Sequence, residues 1–342
     1  MDLLTSIIPG IEKRLPLLNP IWLYLPDMQC NFKCKYCYMG RDSNIRGKCS
    51  HLYNFVLPKN LNESGKWIIL YGGEILTDKK LLYALILEIR KHSNNPICFS
   101  SNGSLLTFED NNFFKKTNVK ISLSYDGKFQ NYRGLDILKE KHDIIYDAIS
   151  KEVIIGLNTI IHSKNYNDYK FDLPNIQIIH DYNYIYPLET KTNKSFLLDN
   201  SLSDEISNNV VLSLKNLIMD IAVLGCDQLV LKYPPSLFYL LNQFLLFKGY
   251  SSVITETLLC SQTNCAKVDI YGNTTYTCGK GLETSVLATK NIAKECLTCK
   301  FVPICRYKCP EYNFDKSQCK NTYMYKIYEK VDILLNSLKS KD

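Results

Sequence analysis

The chain has 342 residues, 46% of them hydrophobic, with a formal charge of +7 and 14 cysteines. That is enough for one large domain with an appendage, or for two domains. No run of about 18 apolar residues occurs, so no membrane-spanning helix and no membrane partner are expected. The opening MDLLTSIIPGIEKRLP sets no basic region before an apolar core and offers no small-residue cleavage site, so a secretory signal is not expected and the cytoplasm is. The lysines are spread along the chain rather than gathered in a block with aromatics, which argues against a nucleic-acid partner.

PIWLYLP (20–26) is a short apolar run between prolines and predicts a strand running straight into a cysteine-rich loop. WIILYGGE (67–74) predicts a buried strand ending in two glycines. LTDKKLLYALILEIRKH (76–92) has helical apolar spacing, with Thr77 as the N-cap. Strands follow at 97–103, 119–127 and 153–162, with a helix over 134–150 and further strand within 176–188. Alternating strands and helices from about 20 to 190 predict βα units on a parallel sheet. About six strands fit, which makes the expected fold α/β, a partial (β/α)6 TIM-type barrel. A helical bridging segment is expected over 201–254, interrupted at LVLKYPP, then a cysteine-rich domain over 255–322 and a terminal helix over 323–342.

Cysteine placement carries the chemistry. CNFKCKYCY (30–38) puts Cys30, Cys34 and Cys37 at C-x3-C-x2-C. Grouping this tight favours shared metal ligation over disulfides. Three thiolates hold three irons of a four-iron cubane and leave the fourth open, whereas a closed structural site wants four protein ligands. Gly72-Gly73-Glu74 closes the second strand, where glycines admit a close backbone approach and the carboxylate can hold an ammonium. A zinc knuckle is the competing reading of the loop alone.

The ordered set of C-x3-C-x2-C, GGE, Ser101-Asn102-Gly103 and SYDG…YR resembles the radical SAM superfamily. The resemblance implies that the open iron binds the amino-acid part of S-adenosylmethionine (SAM). Reductive cleavage then yields a 5′-deoxyadenosyl radical that takes hydrogen from a substrate. It also implies SAM contacts at Tyr38, Gly72, Gly73, Glu74, Asn102, Ser122, Ser124, Asp126 and Arg133. The family usually has proline after GGE, where this chain has Ile75. The later cysteines resemble the SPASM extension, which holds two auxiliary [4Fe–4S] clusters. On that resemblance Cys260, Cys265, Cys278 and Cys309 hold one cluster, and Cys296, Cys299, Cys305 and Cys319 hold the other. Eight cysteines match the need of two closed clusters, and a pair of zinc ribbons would use the same number. Three clusters would bring the holo-protein to roughly +2. Gly272 stands one residue further from Cys278 than the family hairpin has it, so a bulge is expected there.

The resemblance implies a maturase acting on a peptide or protein, forming a crosslink or thioether, epimerising or oxidising. The alternatives are a small-molecule radical SAM dehydrogenase and a non-catalytic iron–sulfur electron-transfer protein. Gly279 stands after Cys278, where sulfatase maturases carry an acidic base, which argues against that reaction. The short stretch before the first strand leaves no room for a winged leader-binding domain, so a peptide substrate is expected to be recognised by a separate leader-binding protein, by the helical segment 201–250 or by the barrel mouth. A reductant such as flavodoxin or ferredoxin is an expected partner. Cys98 and Cys226 read as core, Cys49 as a free thiol near the first cluster, and the five histidines as structural or surface residues. Tyr125, Tyr186 and Glu189 are placed near the barrel mouth without an assigned role.

Overall fold

Six of the short apolar segments form parallel strands: β1 (Ile21–Tyr24), β2 (Ile68–Tyr71), β3 (Ile97–Ser101), β4 (Val119–Ser124), β5 (Ile154–Ile161) and β6 (Ile179–Tyr184). They lie in unbroken sequential order across one sheet. The coordinates are a computed structural model that describes residues 3–12, 20–25, 30–37, 55–64, 66–168, 179–184, 194–196, 202–225, 229, 232–233, 235–250, 267–269, 274–275, 299–301 and 323–338. Sequential parallel order is that of a barrel wall; a doubly wound sheet reverses direction part-way. The α/β architecture expected from the alternating pattern is therefore present.

Two further strands flank Gly272, where a hairpin is expected, but their pairing with the barrel sheet is not. β7 (Lys267–Asp269) runs parallel to β1, with Leu23 opposite Val268 and Tyr24 opposite Asp269, and pairs antiparallel with β8 (Thr274–Thr275). A hairpin from the cysteine-rich segment thus extends the barrel sheet at its β1 edge. The residues between β7 and β8, where the bulge is expected, lie outside the described set.

The period-2 pattern sets which sheet face is buried. In β4, Val119, Ile121 and Leu123 are buried while Lys120, Ser122 and Ser124 are half-exposed on the other face. The buried set packs with Ile68, Leu70, Ile97 and Phe99 against α2 (Lys79–His92), α3 (Phe108–Lys116), α4 (Ile137–Glu140) and α5 (His142–Ser150). α2 begins later than the sequence suggests. Residues Ile75–Asp78 form a 3-10 turn, and Asp78, not Thr77, caps α2 by accepting from Leu81 N–H. Thr77 instead donates its hydroxyl to the Glu74 carbonyl at 2.7 Å. α3 has weak apolar periodicity and was missed; a Thr107/Asp110 capping box starts it.

A second core is wholly helical. The N-terminal helix (Leu3–Glu12) packs Leu4, Ile7 and Ile11 against α6 (Ser203–Leu224), α7 (Pro235–Phe247) and α8 (Tyr323–Ser337). Counting that helix as α1, both ends of the described chain join the bridging segment in one bundle. Phe301 is buried in the same core against Tyr325 and Tyr328. Among the described residues the cysteine-rich segment is therefore attached at two places, its hairpin to the barrel sheet and residues 299–301 to the bundle. By length and composition α6 could cross a membrane over Asp204–Leu224. Here Leu214, Leu217, Ile218 and Ile221 bury one face against the other helices, the packing of a core helix.

The turn after β3 depends on Gly103, whose φ is +74°. A Cβ there would stand 2.7 Å from Leu123 Cδ1 and 3.1 Å from Ile137 Cδ1. Gly103→Ala therefore combines a left-handed backbone with overpacking, and should cost about 2–4 kcal/mol. Urea unfolding with an unchanged m-value measures it; a loss below about 0.5 kcal/mol would refute the packing argument.

Candidate active site

β1 feeds the cysteine loop, as expected. Within it Cys37 N–H donates to the Cys34 carbonyl at 3.1 Å, a tight turn that brings the last two cysteines onto one side. Cys30 is exposed, and Cys34 and Cys37 are half-buried. Burial pushes the Cys34 thiol up to about 12, against the opposing pull of Arg133 and with Cys37 and Cys30 adding to the rise. The three thiols thus lie within electrostatic reach of one another. Among the described residues no three His, Cys, Asp or Glu side chains converge closely enough to chelate a single metal ion.

Two polar clamps hold the loop against the sheet. The first is buried. Tyr36, between Cys34 and Cys37, donates its hydroxyl to Asp126 Oδ2. Arg133 donates to the same carboxylate, from Nε at 3.3 Å and Nη2 at 3.1 Å, and its guanidinium lies 5.6 Å from the Tyr36 ring. Ile160 N–H adds a bond to Asp126 Oδ1 at 3.1 Å. Asp126 and Arg133 are only 1% and 9% exposed, so the carboxylate is committed to this network. Both were read from the sequence as SAM contacts; the geometry gives them a role in seating the cluster loop. Arg133 remains within electrostatic range of Cys30, Cys34 and Glu74.

The second clamp joins the loop to the end of β3. Asn102 Nδ2 donates to Asn31 Oδ1 at 2.9 Å, and Asn31 Nδ2 donates to Ser104 Oγ at 2.8 Å. Asn102 Oδ1 in turn accepts from Ser104 N and Oγ. Asn102 N–H also donates to Glu74 Oε2 at 2.7 Å. Glu74 Oε1 accepts from Ser101 Oγ at 2.8 Å and from Leu76 N–H at 3.1 Å. Glu74 is therefore both the N-cap of the 3-10 turn and a bridge from β2 to β3. Ile75 follows at the first helical position, where proline is also tolerated, and its side chain is buried, which accounts for the departure from GGE-Pro. Burial raises the Glu74 carboxyl, opposed by its hydrogen bonds and by Arg133.

Ser122 and Ser124 sit half-exposed on the sheet face away from the core, Ser122 opposite Ser100 and Ser124 opposite Asn158. Tyr125 is buried and donates to Asp136 at 3.2 Å, which makes it structural. His162, just past β5, is fully buried and was undervalued in the sequence. Its Nδ1 accepts from Lys164 N–H at 3.1 Å, and its ring packs against Tyr36 and Phe196 at 5.1 Å each. Burial lowers its pKa to about 4, so the ring is neutral. His162 could have been flagged by its position just beyond β5, whereas Asn31 lies inside the cysteine loop, next to Cys30. Tyr38, Cys49, Tyr186, Glu189, Gly279 and the auxiliary cysteines Cys260, Cys265, Cys278, Cys296, Cys305, Cys309 and Cys319 lie outside the described residues. Cys299 is described, half-buried against the helical core.

Comparison with known proteins points the same way. A family model described as a 4Fe-4S single cluster domain matches residues 22–139. "Radical SAM cyclopropyl synthase TigE" of Paramaledivibacter caminithermalis is 23% identical over 208 residues, covering 54% of this chain and 43% of that protein. GTPase Obg of Brachyspira hyodysenteriae is 30% identical over 106 residues, covering 29% of this chain and 15% of the GTPase. This sequence carries no GxxxxGK[ST] run of the kind that cradles phosphates. The matches span less than half the length of these curated relatives. Among solved structures, native anSMEcpe with bound AdoMet and the Kp18Cys peptide superposes with a TM-score of 0.58 at 16% identity, covering 93% of this chain and 99% of that one. Native anSMEcpe with bound AdoMet alone gives 0.57 at 16% identity, covering 93% and 98%. The likeness is one of fold, and it is the fold that the motif resemblance implied.

Proposed function

We propose that this chain, which resembles radical SAM/SPASM enzymes in motifs and in fold, is a radical SAM maturase acting on a peptide or protein. One observation carries the reading: a three-cysteine loop is pinned beside a buried carboxylate, Glu74, that among the described residues keeps one acceptor position unused. Oε1 already takes two donors and Oε2 takes one, so Oε2 has a lone pair left for an ammonium. Cys30, Cys34 and Cys37 would hold a [4Fe–4S] cluster with an open iron. When bound, that cluster and SAM supply a carbon radical able to take hydrogen from an unactivated C–H bond.

The chain's own residues then have separable tasks. Glu74 orients the amino group of SAM. Asn102 and Asn31 fix the loop's first cysteine, and Tyr36, Asp126 and Arg133 fix the last two. Ser122 and Ser124 offer hydroxyls on the open sheet face toward the ribose or methionine. We assign Cys260, Cys265, Cys278 and Cys309, and Cys296, Cys299, Cys305 and Cys319, to two closed auxiliary clusters, and Tyr38 to the adenine. Support for a peptide substrate comes from the neighbouring structure with AdoMet and a peptide bound. A flavodoxin or ferredoxin would supply the electron, and a separate protein would present any leader.

Anaerobic reconstitution, an iron count and an assay for 5′-deoxyadenosine test the reading. About 12 irons and SAM cleavage are expected; no cleavage by iron-loaded protein would overturn it. Mass spectrometry of candidate peptides then separates oxidation or crosslinking, by loss of two hydrogens, from epimerisation, by deuterium uptake alone. Glu74→Gln removes the charge and sets its NH2 against one of the donors the carboxylate accepts, so the Kd for SAM should rise about 10- to 100-fold or more. An unchanged Kd by equilibrium dialysis would remove Glu74 from the site.

A further inference from the structure

The cysteine loop sends its side chains in two directions. Asn31 is tied to Asn102, Phe32 packs on Gly134, and Tyr36 reaches in to Asp126. Lys33 and Lys35, between them, are exposed, and neither forms an ion pair among the described residues. Lys35 Nζ lies 5.3 Å from the centre of the Tyr132 ring, and Lys35 N–H donates to the Tyr132 carbonyl at 2.9 Å. Tyr132 stacks on Phe129 with 6.4 Å between rings, and Lys128 Nζ lies 5.4 Å from the Phe129 ring. The result is a strip of cations over aromatic rings, with Asp168 as the counter-charge on Lys128 at its far end. Beneath the strip, Tyr132 and Cys34 both pack on the Tyr36–Phe196 cluster.

We propose that this strip is the docking surface for an acidic electron-transfer protein, the donor that reduces the first cluster. The inference rests on the function proposed above. Charge complementarity selects the partner: Lys33 and Lys35, exposed and without a counter-charge among the described residues, with Lys35 over the Tyr132 ring, suit a surface rich in carboxylates. Position selects the role, because a protein seated on Tyr132 stands one side-chain layer from Cys34. In the step itself a reduced flavin or iron–sulfur donor is oxidised by one electron and the cluster is reduced by one. No bond of the protein is made or broken. Long-range attraction to such a patch raises the association rate and fades with salt.

Binding is measured on the reconstituted holoenzyme with a reduced flavodoxin and, separately, a [2Fe–2S] ferredoxin as probes. Lys33→Glu with Lys35→Glu should raise the Kd of at least one donor about tenfold or more. Lys33→Gln with Lys35→Gln should give a smaller rise in the same direction. Added salt should weaken wild-type binding and barely affect the reversed variant. SAM cleavage driven by the protein donor should fall in parallel, while cleavage driven by dithionite, which needs no docking site, stays within about twofold. Unchanged donor affinity overturns the proposal. So does an equal loss with dithionite, which would make the lysines supports of the loop, and so does lost affinity for the peptide substrate with donor binding intact. Wild-type protein that binds a donor through these lysines but never cleaves SAM would overturn the proposed function and leave the docking surface standing.

Discussion

Cys34→Ala is expected to abolish SAM cleavage while leaving about eight irons bound. Cys34 is the middle cysteine of the loop and, in the proposed function, its middle ligand; among the described residues its loop neighbours supply no other thiolate. Tyr36 beside it is bonded to Asp126, and the two exposed side chains flanking it, Lys33 and Lys35, offer no thiolate. Two remaining thiolates cannot hold a cubane that already lacks a fourth protein ligand. The fold should survive, since the loop keeps both clamps. The variant thus separates the two kinds of site by iron content and activity together. Retained cleavage would mean that the wrong cysteines have been assigned to catalysis, and a fall to near-zero iron would mean that the sites assemble cooperatively.

The wall of the barrel was legible because β1 and β2 are short apolar runs, β4 alternates apolar with polar residues, and turn signals follow the strands, and because parallel order follows from short βα repeats. The cysteine loop was legible because its three cysteines are local in sequence. What holds that loop in place was not. Asn31 meets Asn102 across 71 positions and Tyr36 meets Asp126 across 90. No local pattern encodes such a pairing, so Asp126 and Arg133 were seen only as residues at a strand end that face the ligand. The pairing of β7 with β1 was hidden for the same reason, since three residues of strand carry little periodicity. α1 was overlooked because Pro9 interrupts a short apolar pattern, although its buried face completes the helical core.

The second large effect is expected at Asp126. Arg133 is almost wholly buried, and Asp126 is the carboxylate with which it pairs. Asp126→Ala removes the acceptor for Tyr36, Arg133 and Ile160 N–H together and leaves a guanidinium without a counter-charge. Breaking a buried pair from one side costs about 3–5 kcal/mol, most of it desolvation of the stranded charge. Asp126→Asn keeps an acceptor and should lose less. The instructive comparison is the double change Asp126→Leu with Arg133→Met, which deletes both charges. If the cost lies in the stranded guanidinium, the double variant should be more stable than Asp126→Ala despite losing more polar contacts. Thermal unfolding ranks the three. The cluster reports separately on position: with Tyr36 released, the reduced holo-protein should show a broadened or shifted electron paramagnetic resonance signal in Asp126→Ala and in the double variant, including where stability recovers. A double variant that recovers stability but keeps the native signal would mean that the network serves the fold and not the seating of the loop. A double variant that recovers stability and loses the signal would show that the buried charges are kept for the position of Cys34 and Cys37, at some expense to stability.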